Sequence, residues 1–290
     1  MRPRIPGGRL LAAALAALLW TAGCGRLDEG APTDVVLAAA SDTTVRLSWV
    51  APGGNLPDSY LVAFMATGTS EWLDVGSAID SATQADHNPA GRTGRYRVTA
   101  IYGDRPYPAA ETPTSAPVHT AAIAVGELNG SASPGYGWSR DSGAGALFAM
   151  GYASNASRVD FYVTDWAIGS AGPDYYVASP DWGPREPGGS GLVPVGAWRP
   201  NGLKSVSEGE SPLPPFDSTS YANNLKLAAD STLVAVVCTD TIFFADTTDT
   251  FTTVERHYAI ARFGSPDTVT GTVQVETWFQ RIRDLRLIQH

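Results

Sequence analysis

Cysteine is scarce in this chain, which contains only Cys24 and Cys238 among 290 residues. Such a protein cannot be a small scaffold held together by several disulfides. Cys238 ends the apolar run TLVAVVC and is therefore predicted to be a small buried hydrophobic residue and not a nucleophile. The fold must be stabilised by its core, and an apolar fraction of 43% is large enough for about two domains.

Positive charge is also scarce, because 20 basic residues stand against 29 acidic residues and the formal net charge is −9. Arg2, Arg4 and Arg9 precede Cys24, and the chain after that position has a net charge of −12. A surface of this sign repels phosphate backbones. Nucleic acid is therefore excluded as an expected partner.

Familiar catalytic and metal-binding motifs are lacking. The histidines are too widely spaced for a zinc motif, and no G-x-S-x-G elbow occurs. The segment SRDSGAG, residues 139–145, lacks the lysine of a phosphate-binding loop. A pair of carboxylates for glycoside hydrolysis stays open, because the spacing of such a pair is spatial and not sequential. The sequence thus predicts no catalytic residue, no metal site and no cofactor.

For several charged residues the sequence predicts whether the side chain is exposed to solvent. Glu255 and His257 lie two positions apart on a predicted strand, so they could share one face as candidate catalytic groups. An exposed charged pair at the start of a strand is the favoured interpretation. No D-x-D-x-D-G calcium loop is present. Four aspartates are therefore predicted to be solvated turn residues: Asp160, Asp165, Asp174 and Asp181.

The N-terminus has the order of a secretion signal. Three arginines are followed by the apolar run LLAAALAALLW at residues 10–20, and small residues then precede Cys24. A run of roughly 11 residues is too short, at about 1.5 Å per residue, to cross a hydrocarbon layer of about 30 Å. The segment is therefore predicted to be cleaved and not to anchor the chain as a helix.

The segment TAGC, residues 21–24, resembles the lipobox of bacterial lipoproteins, although Thr21 stands where leucine is usual. The resemblance implies that the Cys24 thiol receives a diacylglyceryl group and that Cys24 becomes the new N-terminus. Residues 1–23 would then be the signal peptide and residues 24–33 a tether. The body would be extracytoplasmic and lipid-anchored in the cell envelope, at the outer membrane or the cell surface. The alternative is a plain secretory signal cleaved near Ala22, with an incidental cysteine.

Residues 34–120 alternate apolar and polar residues in short blocks between turn-forming clusters. Val45, Leu47 and Trp49 point one way along the first clear strand. The same alternation begins again at Tyr60 and at Tyr96. Strands with one solvated face are typical of a two-sheet sandwich.

This block resembles a fibronectin type III domain. The resemblance rests on VRLSW at residues 45–49, the strand from Tyr60, Trp72, and GRYRVTAIY at residues 94–102. It implies a sandwich of about 90 residues that acts as a spacer or interaction module without catalysis. It also implies that the Tyr96 hydroxyl bonds to the backbone just upstream.

A second unit, residues 123–290, is predicted to be an antiparallel β domain, either a sandwich or barrel-like, so the fold class is all-β. Its clearest feature is an antiparallel hairpin in which residues 257–263 and 269–279 flank a GSPD turn. A further strand is predicted at residues 282–288. The unit is expected to fold separately from the first, with a boundary near residues 121–125.

Aromatic residues crowd the chain between positions 136 and 198. Trp166, Trp182 and Trp198 lie at strand ends or in loops, where their rings could stack on a sugar or a flat ligand. These three are the predicted ligand-binding residues. The alternative is that the rings belong to the core.

Two functions follow from this sequence. The first is a membrane-anchored, non-catalytic binding, adhesion or structural module, held to the membrane through Cys24 and recognising a glycan or a protein. The alternative is an envelope polysaccharide hydrolase with a fibronectin type III spacer. The lack of catalytic motifs favours the first. A hydrolase should show two carboxylates converging in a deep cleft, at least one with a pKa raised by burial.

Overall fold

A computed structural model describes residues 28–79, 81–166, 174–186, 191–245 and 250–290. Within these ranges the chain forms β-strands, turns and two short 3-10 helices, Ala153–Asn155 and Pro180–Arg185. Neighbouring strands in the sheets are antiparallel. The predicted all-β fold class is confirmed.

The first unit is a sandwich of two sheets. The smaller sheet has the order β1–β2–β5, with β1 at Thr33–Ser41, β2 at Thr44–Val50 and β5 at Gln84–His87. The larger sheet contains β3 (Ser59–Ala66), β4 (Leu73–Ile79), β6 (Gly94–Tyr102) and β7 (Arg105–Pro108) in the order β4–β3–β6–β7. β1 therefore forms one edge of the smaller sheet.

The alternating pattern places the expected side chains in the core of this sandwich. Val45, Leu47 and Trp49 are all buried, and the ring of Trp49 lies 5.1 Å from that of Tyr60. Tyr96 is fully buried as well, but its hydroxyl lies 3.1 Å from Nδ1 of His87. This partner is a side chain nine residues upstream, where the resemblance implies a backbone group.

The second unit contains two five-stranded sheets. The first has the order β10–β9–β11–β12–β14 and contains β9 (Gly135–Trp138), β10 (Gly145–Phe148), β11 (Phe161–Thr164), β12 (Tyr176–Ala178) and β14 (Asn224–Lys226). The second has the order β13–β15–β16–β17–β8 and contains β8 (Val118–Gly126), β13 (Gly202–Ser205), β15 (Thr232–Ala245), β16 (Thr250–Phe263) and β17 (Thr272–Phe279).

These two sheets pack face to face around one core, so the second unit is a sandwich. Phe161 of one sheet and Phe263 of the other have ring centroids 5.4 Å apart. The predicted hairpin is present as β16 and β17, with Phe263 opposite Val275 and Ala259 opposite Phe279. The GSPD segment lies in the connection between these strands.

The predicted strand at residues 282–288 is wrong, because this segment forms a turn and then an extended tail outside the sheets. Its alternating apolar residues still point into a core, but they belong to the core of the first sandwich: Leu285 and Leu287 are fully buried there. An alternating pattern reports which side chains are buried, and it does not report whether the backbone has a strand partner.

The link between the units also differs from the expected position. β8 runs without interruption across residues 120–123 and pairs with β17, with Val118 opposite Phe279 and Gly126 opposite Thr272. That residues 34–120 and 123–290 fold as separate units stays a prediction. In the structure, the sheet of the second unit begins at Val118.

Candidate functional site

A cleft of about 920 Å³ lies between the two sandwiches. One wall is the edge of the first sandwich at residues 35–42, joined by part of the link at residues 112–116. The opposite wall comes from the second unit: Arg140, Asp141, Glu255, His257 and residues 280–284. Its volume falls in the range of about 300–1,000 Å³ that is usual for ligand-binding sites.

The C-terminal tail, residues 280–290, fixes the two walls relative to each other by packing on both units. Leu285 and Leu287 lie in the core of the first sandwich. Ile288 is fully buried in a cluster of the second unit that contains Leu213. Because one short segment contributes to both cores, the cleft is part of a continuous packed body.

Hydrogen bonds of the tail reinforce this connection. The backbone N–H of Arg286 donates to the carbonyl oxygen of Asp42 at 2.8 Å. The backbone N–H of Thr93 donates to Oε1 of Gln289 at 2.6 Å. The amide of Gln280 donates to the carbonyl oxygen of Ser115 at 2.9 Å, inside the molecule. These bonds attach the tail at three points: Asp42, Thr93 and Ser115.

Two arginines and two aspartates form a largely buried network that reaches the cleft at Arg140. Arg140, in the turn between β9 and β10, donates through Nη1 and Nη2 to Asp160 at 2.9 and 2.7 Å. Its Nε donates to Asp240 of β15 at 2.6 Å. Arg199 donates to Asp160 at 3.1 Å and lies 2.8 Å from the other oxygen of Asp240. The four charges cancel, so the network leaves no net charge at the cleft.

The network corrects the prediction that the aspartates are solvated turn residues. Asp160 is fully buried and Asp165 is 5% exposed, so the prediction is wrong for both. The side chains of Asp174 and Asp181 are 44% and 28% exposed. The arginine partners of Asp160 lie 20 and 39 positions away. No local pattern in the sequence signals such pairing.

His257 is a largely buried residue that lines the cleft. Its ring stacks on Phe279 with centroids 5.4 Å apart, and its side chain is 8% exposed. Nδ1 lies 4.0 Å from Asp240 and has no hydrogen-bond partner within the described ranges. Burial, and then the charge of Arg140, lowers the pKa of His257. The imidazole is therefore neutral near pH 7.

Glu255 lines the same cleft as His257, which confirms that the two share a face of β16. The expectation of an exposed pair is wrong, because the Glu255 side chain is 17% exposed and forms an ion pair with Arg283. Arg281 and Asp141 are exposed at the cleft, and no ion pair of either is found in the part of the chain that the structure describes. Asp284 also lines the cleft and shares Arg283 with Glu255, with Oδ2 3.8 Å from Nε. Two cationic side chains therefore face three carboxylates, which leaves a small excess of negative charge.

The cleft is suited to holding a polar ligand of low net charge. Its buried arginine is neutralised by aspartates, and burial lowers the pKa of its histidine. The cysteine behind the network, Cys238, is fully buried, and burial raises the pKa of its thiol well above the usual value. The predicted role of Cys238 as a small buried hydrophobic residue agrees with this position, and the thiol is not an activated nucleophile.

Two of the three predicted ligand-binding tryptophans, Trp166 and Trp182, are in contact with each other. The third, Trp198, is buried more deeply. The first two are partly buried and have ring centroids 6.5 Å apart, nearly at right angles. Trp198 is 6% exposed and donates from Nε1 to the carbonyl oxygen of Pro194. Its ring thus offers no open face to a ligand. All three belong to, or pack against, one small hydrophobic cluster.

A buried carboxyl group lies beside this cluster. Glu186 is fully buried and accepts hydrogen bonds from the hydroxyls of Tyr162 and Thr164 at 2.5 and 3.0 Å. Burial raises the pKa of Glu186 to about 7, although the two hydroxyls lower it, and the charges of Asp165 and Glu127 raise it further. Three carboxyl groups are thus electrostatically coupled in the interior of the second sandwich.

The predicted signal peptide and Cys24 lie outside the described ranges. Among the described residues, no helix is long and apolar enough to cross a bilayer. No group of three or more His, Cys, Asp or Glu side chains in the same ranges is arranged to hold a metal ion.

No family model and no curated protein matches the chain. Among solved structures, an FN3 domain of human collagen XX is similar at 24% identity, over 30% of this chain and 88% of that one, with a TM-score of 0.26. Titin kinase with its flanking domains is similar at 13% identity, over 87% of this chain and 37% of that one, with a TM-score of 0.28. The FN1-FN3 domains of chicken CNTN1 are similar at 11% identity, over 86% and 69%, with a TM-score of 0.25.

Proposed function

We propose that the chain is an extracytoplasmic lipoprotein, anchored to a membrane of the cell envelope through Cys24, that acts as a non-catalytic binding module. The cleft between the sandwiches is its ligand site. The observation that carries this proposal is the cleft itself, which is lined by both units and held in shape by the tail. A spacer that only extended the second unit from the membrane would need no such shared site.

Binding is favoured over polysaccharide hydrolysis by the position of the carboxyl groups. The carboxyl group whose pKa is raised to about 7, that of Glu186, is fully buried and lies away from the residues that line the cleft. A general acid must reach the atom that it protonates. In the cleft, the carboxylate of Glu255 is engaged by Arg283.

The anchor is tested by substituting the predicted lipid-bearing residue. Cells grown with a labelled fatty acid should incorporate label into the wild-type chain and not into Cys24→Ser, and the variant should be released from the membrane fraction. A Ser41→Ala chain, altered in the body, serves as the matched control and should be labelled normally. An unlabelled wild-type chain would show that residues 21–24 are not a lipobox.

The ligand site is tested with the chain from Gly25 onward and three probe sets: envelope glycan fragments, haem, and unstructured peptides. Arg281→Glu reverses the unpaired positive charge at the cleft, so the affinity for any probe that binds should fall by about tenfold or more. Arg158→Glu makes the same charge change at an exposed position outside the cleft and should leave affinity unchanged. Binding that is insensitive to Arg281→Glu and maps to another surface would move the site elsewhere.

A further inference from the structure

The first wall of the cleft is an unpaired sheet edge. β1 pairs with β2 on one side only, and the sheet ends at β1. Its residues 35–40 read VVLAAA, with neither proline nor charge. Natural proteins usually protect an edge of this kind with charges, prolines or bulges, because its free backbone groups can pair with another chain. The register of β1 is irregular only before Val36 and after Ala39, so the stretch between them is a regular edge.

The pairing of β2 determines which backbone groups of β1 face outward. The N–H of Trp49 donates to the carbonyl oxygen of Thr83, on the β5 side of β2. Backbone groups alternate in direction along a strand. The backbone groups of Ser48 and Arg46 must therefore point to the other neighbour of β2, which is β1.

Ser48 stands opposite Val36, and the next pair of this kind is centred on Ala38. Val36 and Ala38 therefore exchange hydrogen bonds with β2. By the same alternation, the N–H and C=O groups of Leu37 and Ala39 point away from the sheet and into the cleft.

No backbone hydrogen bond between described residues reaches this outer edge from residue 35 to residue 40. The tail approaches only at the end of β1, where the N–H of Arg286 bonds to the carbonyl oxygen of Asp42. The edge is instead recessed, because it forms one wall of the cleft and faces the second unit. A recessed edge is sheltered from other folded copies and stays open to a single extended segment, which needs about 4.8 Å beside the edge strand.

The charges of the cleft favour a ligand whose recognised part is neutral. Arg140 is neutralised by its aspartate partners, and Arg283 pairs with Glu255. Arg281 and Asp141 are of opposite sign. Asp284, which shares Arg283 with Glu255, leaves one carboxylate in excess. A polyanion would find no excess of positive charge here, whereas a peptide main chain offers neutral donors and acceptors that match an open strand edge.

We propose that the cleft binds an extended peptide segment of a partner protein, which adds to β1 as a further strand through the backbone groups of Leu37 and Ala39. This inference rests on the proposed function, since it names the ligand class of the same cleft. The side chains of the bound segment would contact the other residues that line the cleft, among them Arg281 and Glu255.

Amide hydrogen exchange of the chain from Gly25 onward tests this inference, because strand addition should protect only alternate residues of β1. Without ligand, the amides of Leu37 and Ala39 should exchange rapidly, and those of Val36 and Ala38 should be protected. The probe is a ten-residue peptide of alternating valine and threonine. Its addition should protect Leu37 and Ala39. A twin peptide, N-methylated at alternate residues, keeps the side chains, lacks half of the donors and should bind at least about tenfold more weakly.

A pair of variants separates backbone pairing from side-chain contact. Ala39→Pro removes the outward N–H without removing a bond to β2, and it should weaken binding of the valine–threonine peptide about fivefold to tenfold. Ala38→Ser changes a neighbouring exposed side chain whose backbone groups face β2, keeps every outward N–H and should bind like wild type. Unfolding curves of both variants establish that the fold is retained, and the exchange pattern of wild type supplies an independent test if Ala39→Pro is unstable.

The possible failures are distinguishable. Protection that appears at Glu255 and Arg281 but not at Leu37 and Ala39 would overturn strand addition and leave the cleft as the ligand site. Binding of glycan or haem alone, with loss on Arg281→Glu, would do the same. Protection of Leu37 and Ala39 that depends on chain concentration and needs no peptide would show pairing between copies and would also overturn the inference.

Discussion

Replacing Leu285 and Leu287 together by alanine should lower the free energy of unfolding by at least about 4 kcal/mol. Each leucine is fully buried in the core of the first sandwich, although both follow the last strand of the second unit. A single buried leucine replaced by alanine costs about 2–5 kcal/mol, because apolar contact is lost and a cavity remains. Total stabilities of about 5–15 kcal/mol leave little margin for such a loss.

Chemical denaturation of the chain from Gly25 onward measures this effect. Val269→Ala removes carbon atoms from a side chain that is 93% exposed, so this control should change stability by no more than about 0.5 kcal/mol. Because the tail also ties the units together, the double variant should lose hydrogen-exchange protection at the Thr93 amide, which bonds to Gln289. A midpoint equal to that of wild type would mean that the tail is not part of the first core.

The same packing bears on the predicted independence of the two units. A fragment that ends at residue 120 contains the strands of the first sandwich but lacks Leu285 and Leu287. It also divides β8, whose pairing partner is β17. Independent folding stays a prediction. The structure indicates that a first-unit fragment would have to fill two vacant core positions to fold alone.

The local parts of the fold could be predicted because they follow from short-range patterns. In β2, alternate residues are buried, so Val45, Leu47 and Trp49 were identifiable from the sequence. The hairpin of β16 and β17 was identifiable because a turn cluster lies between two alternating runs. In both cases the deciding interactions are close in sequence or repeat with the period of a strand.

The tail and the cleft could not be predicted in the same way. Residues 282–288 have the period of a strand, but this segment forms no strand. Its backbone bonds to a sheet at Asp284, whose N–H donates to the carbonyl oxygen of Arg256, and its leucines belong to a core formed about 200 residues earlier. The cleft depends on how two sandwiches are placed by that tail. No spacing within the sequence encodes this placement. The sequence therefore gives no sign that Arg140 lies at a cleft.

The largely buried network that reaches the cleft at Arg140 supplies the second large effect. Replacing Asp160 by alanine should cost about 3–5 kcal/mol, because it leaves two arginines partly without counter-charge in the interior. Asp160 accepts hydrogen bonds from Arg140 and Arg199 and also from the backbone N–H of Trp138 at 2.9 Å. Asp240 remains as the only carboxylate of the network between the two guanidinium groups.

A matched substitution separates this effect from the general loss of an ion pair. Asp174→Ala removes the partner of Lys226, and both of those side chains are about half exposed. Water already solvates them, so the cost should be below about 1 kcal/mol. Urea unfolding compares the two variants with wild type. If Asp160→Ala costs no more than Asp174→Ala, water must reach the guanidinium groups, and the network cannot be the rigid support that holds Arg140 beside the cleft.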